Sequence, residues 1–296
     1  MKLRTFITRT ITALVLVAVM LGAILWSPYT FAGFFAILVF GILWEFYGLI
    51  NASAEVNIFR PLHSLGGVII FGCSFCVASH VTGNGIFVIY MLYMMALFIS
   101  RLYNRQNNPL RELAYIIMGQ LYIAYPMSML SALAFHTLAF PMGEMLKDYS
   151  PLFVLSLFFF IWINDTGAYL TGMTFGKRRL FPSVSPKKSW EGFWGGLVFA
   201  VLLGWGLSYE VVWEFLGINL HEGLRLSTIE WIGMGLVVSI FSTFGDLIES
   251  FVKRSVGVKD SGNILPGHGG LWDRFDSPIM AVPTLLIYLA VIELFH

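Results

Sequence analysis

An apolar segment near residue 246 carries polar side chains at helical spacing. They follow at intervals of i, i+3, i+4 and i+7, so a helix places on one stripe Asp246, Glu249, Ser250 and Lys253. An ionised carboxylate inside lipid costs on the order of 2.5 kcal/mol or more without a partner, so such acids are functional candidates. The alternative is a purely structural salt bridge from Asp246 or Glu249 to Lys253.

The loop that follows, residues 253–277, brings more carboxylates back to the same place. Its prolines and glycines permit a tight reversal, and a Ser-Pro pair at its end is typical of the start of a helix. Asp273 and Asp276 are therefore expected to return towards Asp246. Carboxylates that converge from a helix end and a loop make an oxygen cage suited to Mg²⁺. The alternative is that both acids only favour the positive end of a helix dipole.

Three further side chains of this loop have two interpretations each. His268, flanked by glycines, is either a proton donor or metal ligand, or a turn residue that hydrogen-bonds the backbone. Lys259 and Arg274 are suited to binding phosphate. They would equally follow from the excess of basic residues on the inner side of membrane proteins.

A second long loop, residues 173–191, ends in the basic run Ser185-Pro-Lys-Lys-Ser189 directly before an apolar segment. Lys187 and Lys188 at a helix N-terminus oppose the helix dipole, which is tolerable if an anion lies between them. A nucleoside triphosphate would supply that anion. The alternative is a solvated loop that binds lipid headgroups.

Another apolar segment contains the pair Asn164-Asp165, about two helical turns from the same end. Asp165 has no basic partner nearby in the sequence. The pair is expected to orient a ribose, a base or a metal-bound water, or else to form a purely structural hydrogen bond.

The elements that carry these residues must be membrane helices. Of 296 residues, 57% are hydrophobic and 12% are charged, which excludes an ordinary soluble domain, a disordered chain and a disulfide-stapled fold. A helical span needs roughly 20 apolar residues. About nine transmembrane helices are predicted, giving an all-α polytopic membrane protein, at residues 10–26, 30–50, 62–80, 86–103, 112–135, 151–172, 192–214, 230–252 and 278–295.

The basic residues predict the orientation of these spans. With the N-terminus cytoplasmic and the C-terminus outside, all of the 18 lysines and arginines except Lys147 and Arg225 fall on the inner side. Both long loops then face the cytoplasm. We expect two regions, residues 1–140 with spans one to five, and residues 141–296 with the later spans and the catalytic loops.

The C-terminal half contains a long gapped pattern of charged residues and glycines, which consists of Ser250-Phe-Val-Lys-Arg254, Lys259-Asp260 and Leu265-Pro-Gly-His-Gly-Gly-Leu-Trp-Asp-Arg-Phe-Asp276. This pattern resembles the signature of the phosphatidate cytidylyltransferases, also called CDP-diacylglycerol synthases. The resemblance extends to Asn164-Asp165, the Ser-Pro-Lys-Lys-Ser run and Gly245-Asp246. Trp272 departs from the signature, because the family has a smaller aliphatic residue there, and this puts the lipid preference in doubt more than the chemistry.

This resemblance implies a Mg²⁺-dependent transfer of CMP from CTP to phosphatidate, in the cell membrane with the site facing the cytoplasm. It implies metal ligands at Asp246 and Asp273 supported by Asp276, in a two-cation site. Catalytic roles fall to Asp246, Asp273, Lys253 and His268. Substrate and phosphate binding falls to Ser185, Lys187, Lys188, Ser189, Arg254, Lys259, Arg274, Asn164 and Asp165. A homodimer is favoured, and no nucleic-acid partner is expected.

Two other functions stay open at this point. A related CTP-dependent transferase could act on another membrane lipid phosphate or alcohol, and the sequence discriminates poorly between acceptors. An ion-coupled transporter could use Asp165 and Asp246 as a relay. Its weakness is that spans one to five and seven, apart from Glu45 near one end of span two, have no deep ionisable residue to continue a path.

Overall fold

The computed structural model describes residues 2–54, 56–103, 108–135, 149–215, 217–218, 226–262, 264–265 and 269–295, with side chains from residue 10 onward. The helices are α1 (Lys2–Trp26), α2 (Pro28–Ser53), α3 (Arg60–Ala78), α4 (Phe87–Tyr103), α5 (Pro109–Gly119), α6 (Tyr125–Ser128), α7 (Leu130–Ala134), α8 (Leu152–Phe175), α9 (Trp190–Leu207), α10 (Glu210–Phe215), α11 (Thr228–Ser255) and α12 (Asp276–Phe295). Short 3₁₀ turns occupy Asn84–Ile86 and Trp272–Arg274.

The predicted all-α polytopic membrane fold is confirmed. Among the described residues, eight helical segments are long and apolar enough to cross a membrane, and they coincide with predicted spans two to nine. The first predicted span corresponds to the shorter apolar stretch Thr10–Trp26 of α1. Helices suit this environment because they pair every backbone group within the segment.

One predicted boundary is wrong. The seventh span was expected to continue to residue 214, but α9 ends at Leu207 and the short helix α10 follows after a turn. The indole Nε1 of Trp213 donates to the Leu207 carbonyl at 2.7 Å, which satisfies one of the carbonyls that a helix end leaves unpaired. Trp213 of α10 is therefore buried at the end of α9, and α10 does not extend that helix.

The fifth span is not a regular α-helix. A π-helical turn at Gln120–Ala124 lies between α5 and α6, just before Pro126. Proline lacks an N–H and its ring clashes with the carbonyl four residues earlier, so the wider turn relieves this position. The turn is held by Gln120, whose Nε2 donates to the Tyr47 hydroxyl at 3.0 Å and the His63 carbonyl at 2.7 Å.

The basic loop contains the only sheet among the described residues. Strands β1 (Arg179–Phe181) and β2 (Ser185–Ser189) pair antiparallel, with Arg179 opposite Ser189 and Phe181 opposite Ser185. The sequence predicted a loop here. A short turn between the two strands is closed by a hydrogen bond from the Val184 N–H to the Phe181 carbonyl. This turn brings the strands side by side, so they pair as a hairpin.

Contacts divide the chain into two compact units. The first comprises the described residues within Met1–Ala132 and Lys253–Phe275, and the second those within Leu133–Val252 and Asp276–His296. The loop after α11 thus belongs with the N-terminal helices. These units are defined by contacts between residues. They do not test the predicted division near residue 140, which separates spans one to five from the part of the chain predicted to carry the catalytic loops.

Candidate active site

Three carboxylates converge in the second unit. Asp246 and Glu249 on α11 and Asp276 at the start of α12 each place one oxygen within 4.8 Å of the others. Glu249 and Asp276 are buried, with exposed fractions of 1% and 9%. The structure therefore brings Asp246 and Asp276 together as expected, and adds Glu249, which sequence analysis placed on the same stripe without assigning it as a ligand.

A close approach of two helices creates this cluster. A Cβ added at Gly245 would lie 2.7 Å from the Asp276 carbonyl oxygen and 3.0 Å from the Ser277 Cα, so glycine lets α11 pack directly on the first turn of α12. Asp246 follows immediately in α11. At the start of α12, the Ser277 N–H donates to Asp276 Oδ1 at 2.6 Å, which fixes that carboxylate at the positive end of the helix.

One lysine of the hairpin reaches the cluster. Lys188 Nζ lies 2.7 Å from Asp246 Oδ2, and this pair is partly exposed. The other oxygen of Asp246 accepts a 3.4 Å bond from the Ser250 hydroxyl. Asp246, Lys188 and Asp165 all interact electrostatically with the Asp276 carboxylate. Carboxylates thus outnumber the neighbouring ammonium group, and this excess of negative charge attracts a cation.

The hairpin is positioned by the start of α9. Ser189 is the N-cap, and its hydroxyl accepts from the Gly192 N–H at 3.1 Å. The Glu191 carboxylate accepts from the backbone N–H groups of Lys177 and Arg178 at 3.1–3.2 Å. These bonds tie both ends of the hairpin to α9 and so fix where Lys188 can reach.

The Asn164-Asp165 pair divides between two environments. Asn164 is buried, and its Nδ2 donates to the hydroxyls of Thr243 at 3.3 Å and Ser242 at 3.5 Å on α11. Asn164 therefore joins α8 to α11 beside the acidic cluster. Asp165 is exposed.

In the first unit, Asp273 is the centre of a separate polar group. Its Oδ1 lies 2.7 Å from Lys253 Nζ, and each of these two side chains is 9% exposed. The backbone N–H groups of Ser261 and Gly270 donate to the same carboxylate at 2.8–3.2 Å. The Leu265 N–H donates to the Gly269 carbonyl at 3.0 Å. The ligand role of Asp273 stays a prediction.

The remaining predicted site residues are mostly exposed. The group consists of Lys187, Arg254, Lys259 and Arg274, while Ser185 is half-buried in β2. Arg254 Nη1 donates to the Val258 carbonyl at 2.9 Å and braces the start of the loop. His268 lies outside the described residues. Phosphate binding by these side chains stays a prediction.

The sequence predicted no role for Glu45, which the structure places against the signature loop, residues 256–275 between α11 and α12. Glu45 lies on α2, is 5% exposed, and its Oε2 accepts from the Ser261 hydroxyl at 3.1 Å and the Trp272 N–H at 3.0 Å. The available signal was an acidic residue inside an apolar span. Trp272 is fully buried against the Phe46 and Tyr122 rings, so its indole fills the core of this unit.

The profile of the cytidylyltransferase family matches residues 7–292, nearly the whole chain. The chain belongs to the cytidylyltransferase family. A phosphatidate cytidylyltransferase of Staphylococcus aureus is 44% identical over 137 residues, which are 46% of this chain and 48% of that protein. Proteins of the same name from Staphylococcus epidermidis and Staphylococcus haemolyticus are 42% and 44% identical over the same length. The aligned part thus spans about half of each curated relative.

Proposed function

We propose that the chain is a phosphatidate cytidylyltransferase that makes CDP-diacylglycerol. The observation that carries the proposal is the acidic cluster of Asp246, Glu249 and Asp276 with Lys188 beside it, in a chain of this family. In the reaction, a phosphate oxygen of phosphatidate attacks the α-phosphorus of CTP, and the bond to the leaving pyrophosphate breaks. The substrate brings its own nucleophile, so the protein has to hold and neutralise two polyanions.

The acidic cluster fits Mg²⁺. This ion takes oxygen ligands, typically one or two carboxylates together with waters and substrate phosphates. We propose that Asp246 and Asp276 hold it with Glu249. When bound, Mg²⁺ neutralises charge on the transferred phosphate and on the leaving pyrophosphate. Asp273 stays a proposed ligand of a second cation, and to serve as one its carboxylate would have to share its contact with Lys253.

Basic side chains then hold the phosphates. In this proposal the hairpin presents Lys187 and Lys188 to the triphosphate, and Ser185 and Ser189 lie on the same strand. The last turn of α11 contributes Lys253 and Arg254, and the loop after it contributes Lys259 and Arg274. Asn164 joins α8 to α11, and Asp165 is proposed to bind the nucleoside. Lysines and arginines suit this task because each makes charge-assisted hydrogen bonds to phosphate oxygens.

We further propose that the site faces the cytoplasm, with the N-terminus inside and the C-terminus outside the cell membrane. The support is the distribution of basic residues along the chain. Phosphatidate would enter from the bilayer and CTP from the aqueous side. The family resemblance alone supports a homodimer.

The test uses purified protein in lipid vesicles with labelled CTP, phosphatidate and Mg²⁺. We expect a labelled lipid that disappears with EDTA and in Asp246→Asn. A matched control is Glu230→Gln, which changes an acid in the first turn of the same helix and should keep its turnover. Product from another lipid phosphate or alcohol, but none from phosphatidate, would overturn the proposed substrate. In sealed inverted membrane vesicles, externally added CTP should be consumed.

A further inference from the structure

A buried carboxylate of the second helix holds the signature loop in place. Glu45 accepts two hydrogen bonds from this loop, one from the Ser261 hydroxyl and one from the Trp272 backbone N–H. Both bonds end on the same oxygen, Oε2. The other oxygen, Oε1, is buried without a hydrogen-bond partner among the described residues. Carboxylates inside a span are costly, so one that is retained there is a functional candidate.

The loop fits closely around this carboxylate. A Cβ added at Gly262 would lie 2.7 Å from Glu45 Oε1 and 3.0 Å from its Cδ. A Cβ added at Gly270 would collide with Glu45 Oε2 and with the Ser261 hydroxyl. The two glycines therefore let the loop backbone close on Glu45 from both directions. The residue after Glu45 adds an apolar contact, because the Phe46 and Trp272 rings pack edge to face at 5.3 Å.

Asp273 binds the same two parts of the loop as Glu45, at residue 261 and near residue 270. Ser261 gives its hydroxyl to Glu45 and its backbone N–H to Asp273, and the Gly270 N–H donates to Asp273 two residues before the Trp272 N–H donates to Glu45. The two carboxylates therefore hold the same two parts of the loop, at residue 261 and at residues 270–272. Moving these parts away from Glu45 would shift the donors that orient Asp273, and with them its contact with Lys253.

We infer that Glu45 is a positioning residue for the reaction, which acts by holding the loop that orients Asp273 and Lys253. The inference rests on the proposed function, because only there do Asp273 and Lys253 have catalytic roles. Glu45 acts by accepting hydrogen bonds, and this role does not require a charged side chain. Glutamine can therefore replace it, because one carbonyl oxygen at the place of Oε2 accepts both bonds.

The test compares Glu45→Ala with Glu45→Gln by turnover and by hydrogen exchange of peptides that contain Trp272. In Glu45→Ala, turnover should fall and exchange at Trp272 should become faster, each by about tenfold or more. The reason is that leaving a buried donor without its acceptor costs a free energy that corresponds to roughly this factor. Glu45→Gln should restore both most of the way towards wild type. Glu112→Gln, which changes another buried acid of the same unit, should leave exchange at Trp272 as in the wild type.

A double-mutant cycle of Gly262→Ala and Glu45→Ala tests the close approach of the loop to Glu45. Gly262→Ala should speed exchange at Trp272 in the wild-type background, because the new methyl meets Glu45. In the Glu45→Ala background the same change should add little, because the space is open. Equal effects of Gly262→Ala in both backgrounds would overturn the inference.

The other outcomes are equally decisive. If Glu45→Gln is as inactive as Glu45→Ala while exchange stays as in the wild type, the charge of Glu45 matters and the inference is wrong. If Glu45→Ala changes neither readout, the inference is also wrong. If the wild type does not use CTP and phosphatidate, the proposed function fails, and the exchange data still decide whether Glu45 holds the loop.

Discussion

Replacing Lys253 with methionine should destabilise the protein by about 3 kcal/mol, at the lower end of the roughly 3–5 kcal/mol typical of breaking a buried ion pair. The Lys253 and Asp273 charges lie 2.7 Å apart and are each 9% exposed. With an effective dielectric constant of about 20, their gross attraction is about 6 kcal/mol, and desolvation offsets part of it. Asp273 keeps its hydrogen bonds from the Ser261 and Gly270 N–H groups, which explains the lower end of the range.

The double variant Lys253→Met/Asp273→Asn tests this reasoning most sharply. It removes both charges, and the asparagine oxygen still accepts from the loop N–H groups, so it should lose less stability than either single variant. The assay is equilibrium unfolding in detergent micelles. Lys259→Met, a change of an exposed lysine in the same loop, should stay within about 0.5 kcal/mol of wild type. Additive losses in the double variant would refute a coupled buried pair. The double variant should have no turnover even though it regains part of the stability lost in the single variants.

Two further predictions concern the second unit. Lys188→Ala breaks a partly exposed ion pair, so the free energy of unfolding should change by no more than about 1 kcal/mol. The KM for CTP should rise in steady-state kinetics. A larger loss of stability would mean that the role of Lys188 is structural. Gly196→Ala brings a methyl group against the Asn164 amide and carbonyl oxygens, and should cost about 1–3 kcal/mol in unfolding experiments. Gly206→Ala in the same helix meets open space and should cost nothing, and equal losses in both would contradict the packing argument.

The membrane helices could be predicted because lipid leaves few alternatives. A backbone inside a bilayer must pair its polar groups within the segment, so a long apolar run becomes a helix whatever its neighbours are. The error at residues 208–214 arose where this constraint ends. There the chain is apolar enough to extend α9, but the Trp213 indole bonds to the helix end and turns α10 aside. That bond depends on tertiary packing, which an apolar run does not encode.

The acidic cluster could be predicted in part for a similar reason. Helical spacing alone places Asp246 and Glu249 on one stripe, and the arrival of Asp276 follows from a loop that must return to the membrane. The contribution of Gly245 could not be foreseen, because its importance comes from the first turn of another helix. The contact between Lys188 and Asp246 likewise depends on a hairpin that the sequence did not predict.

Glu45 shows why the N-terminal helices could not be assigned a role from their sequence. It lies 216 residues from Ser261, and the gapped pattern of residues 250–276 lies entirely outside spans one to five. A loop rich in glycine and polar residues has buried N–H groups that need acceptors, since unpaired buried donors are rare in folded proteins. Asp273 supplies one acceptor from within the loop, and Glu45 on α2 supplies the other. The residues that match the family signature therefore depend for their geometry on a helix that carries none of it.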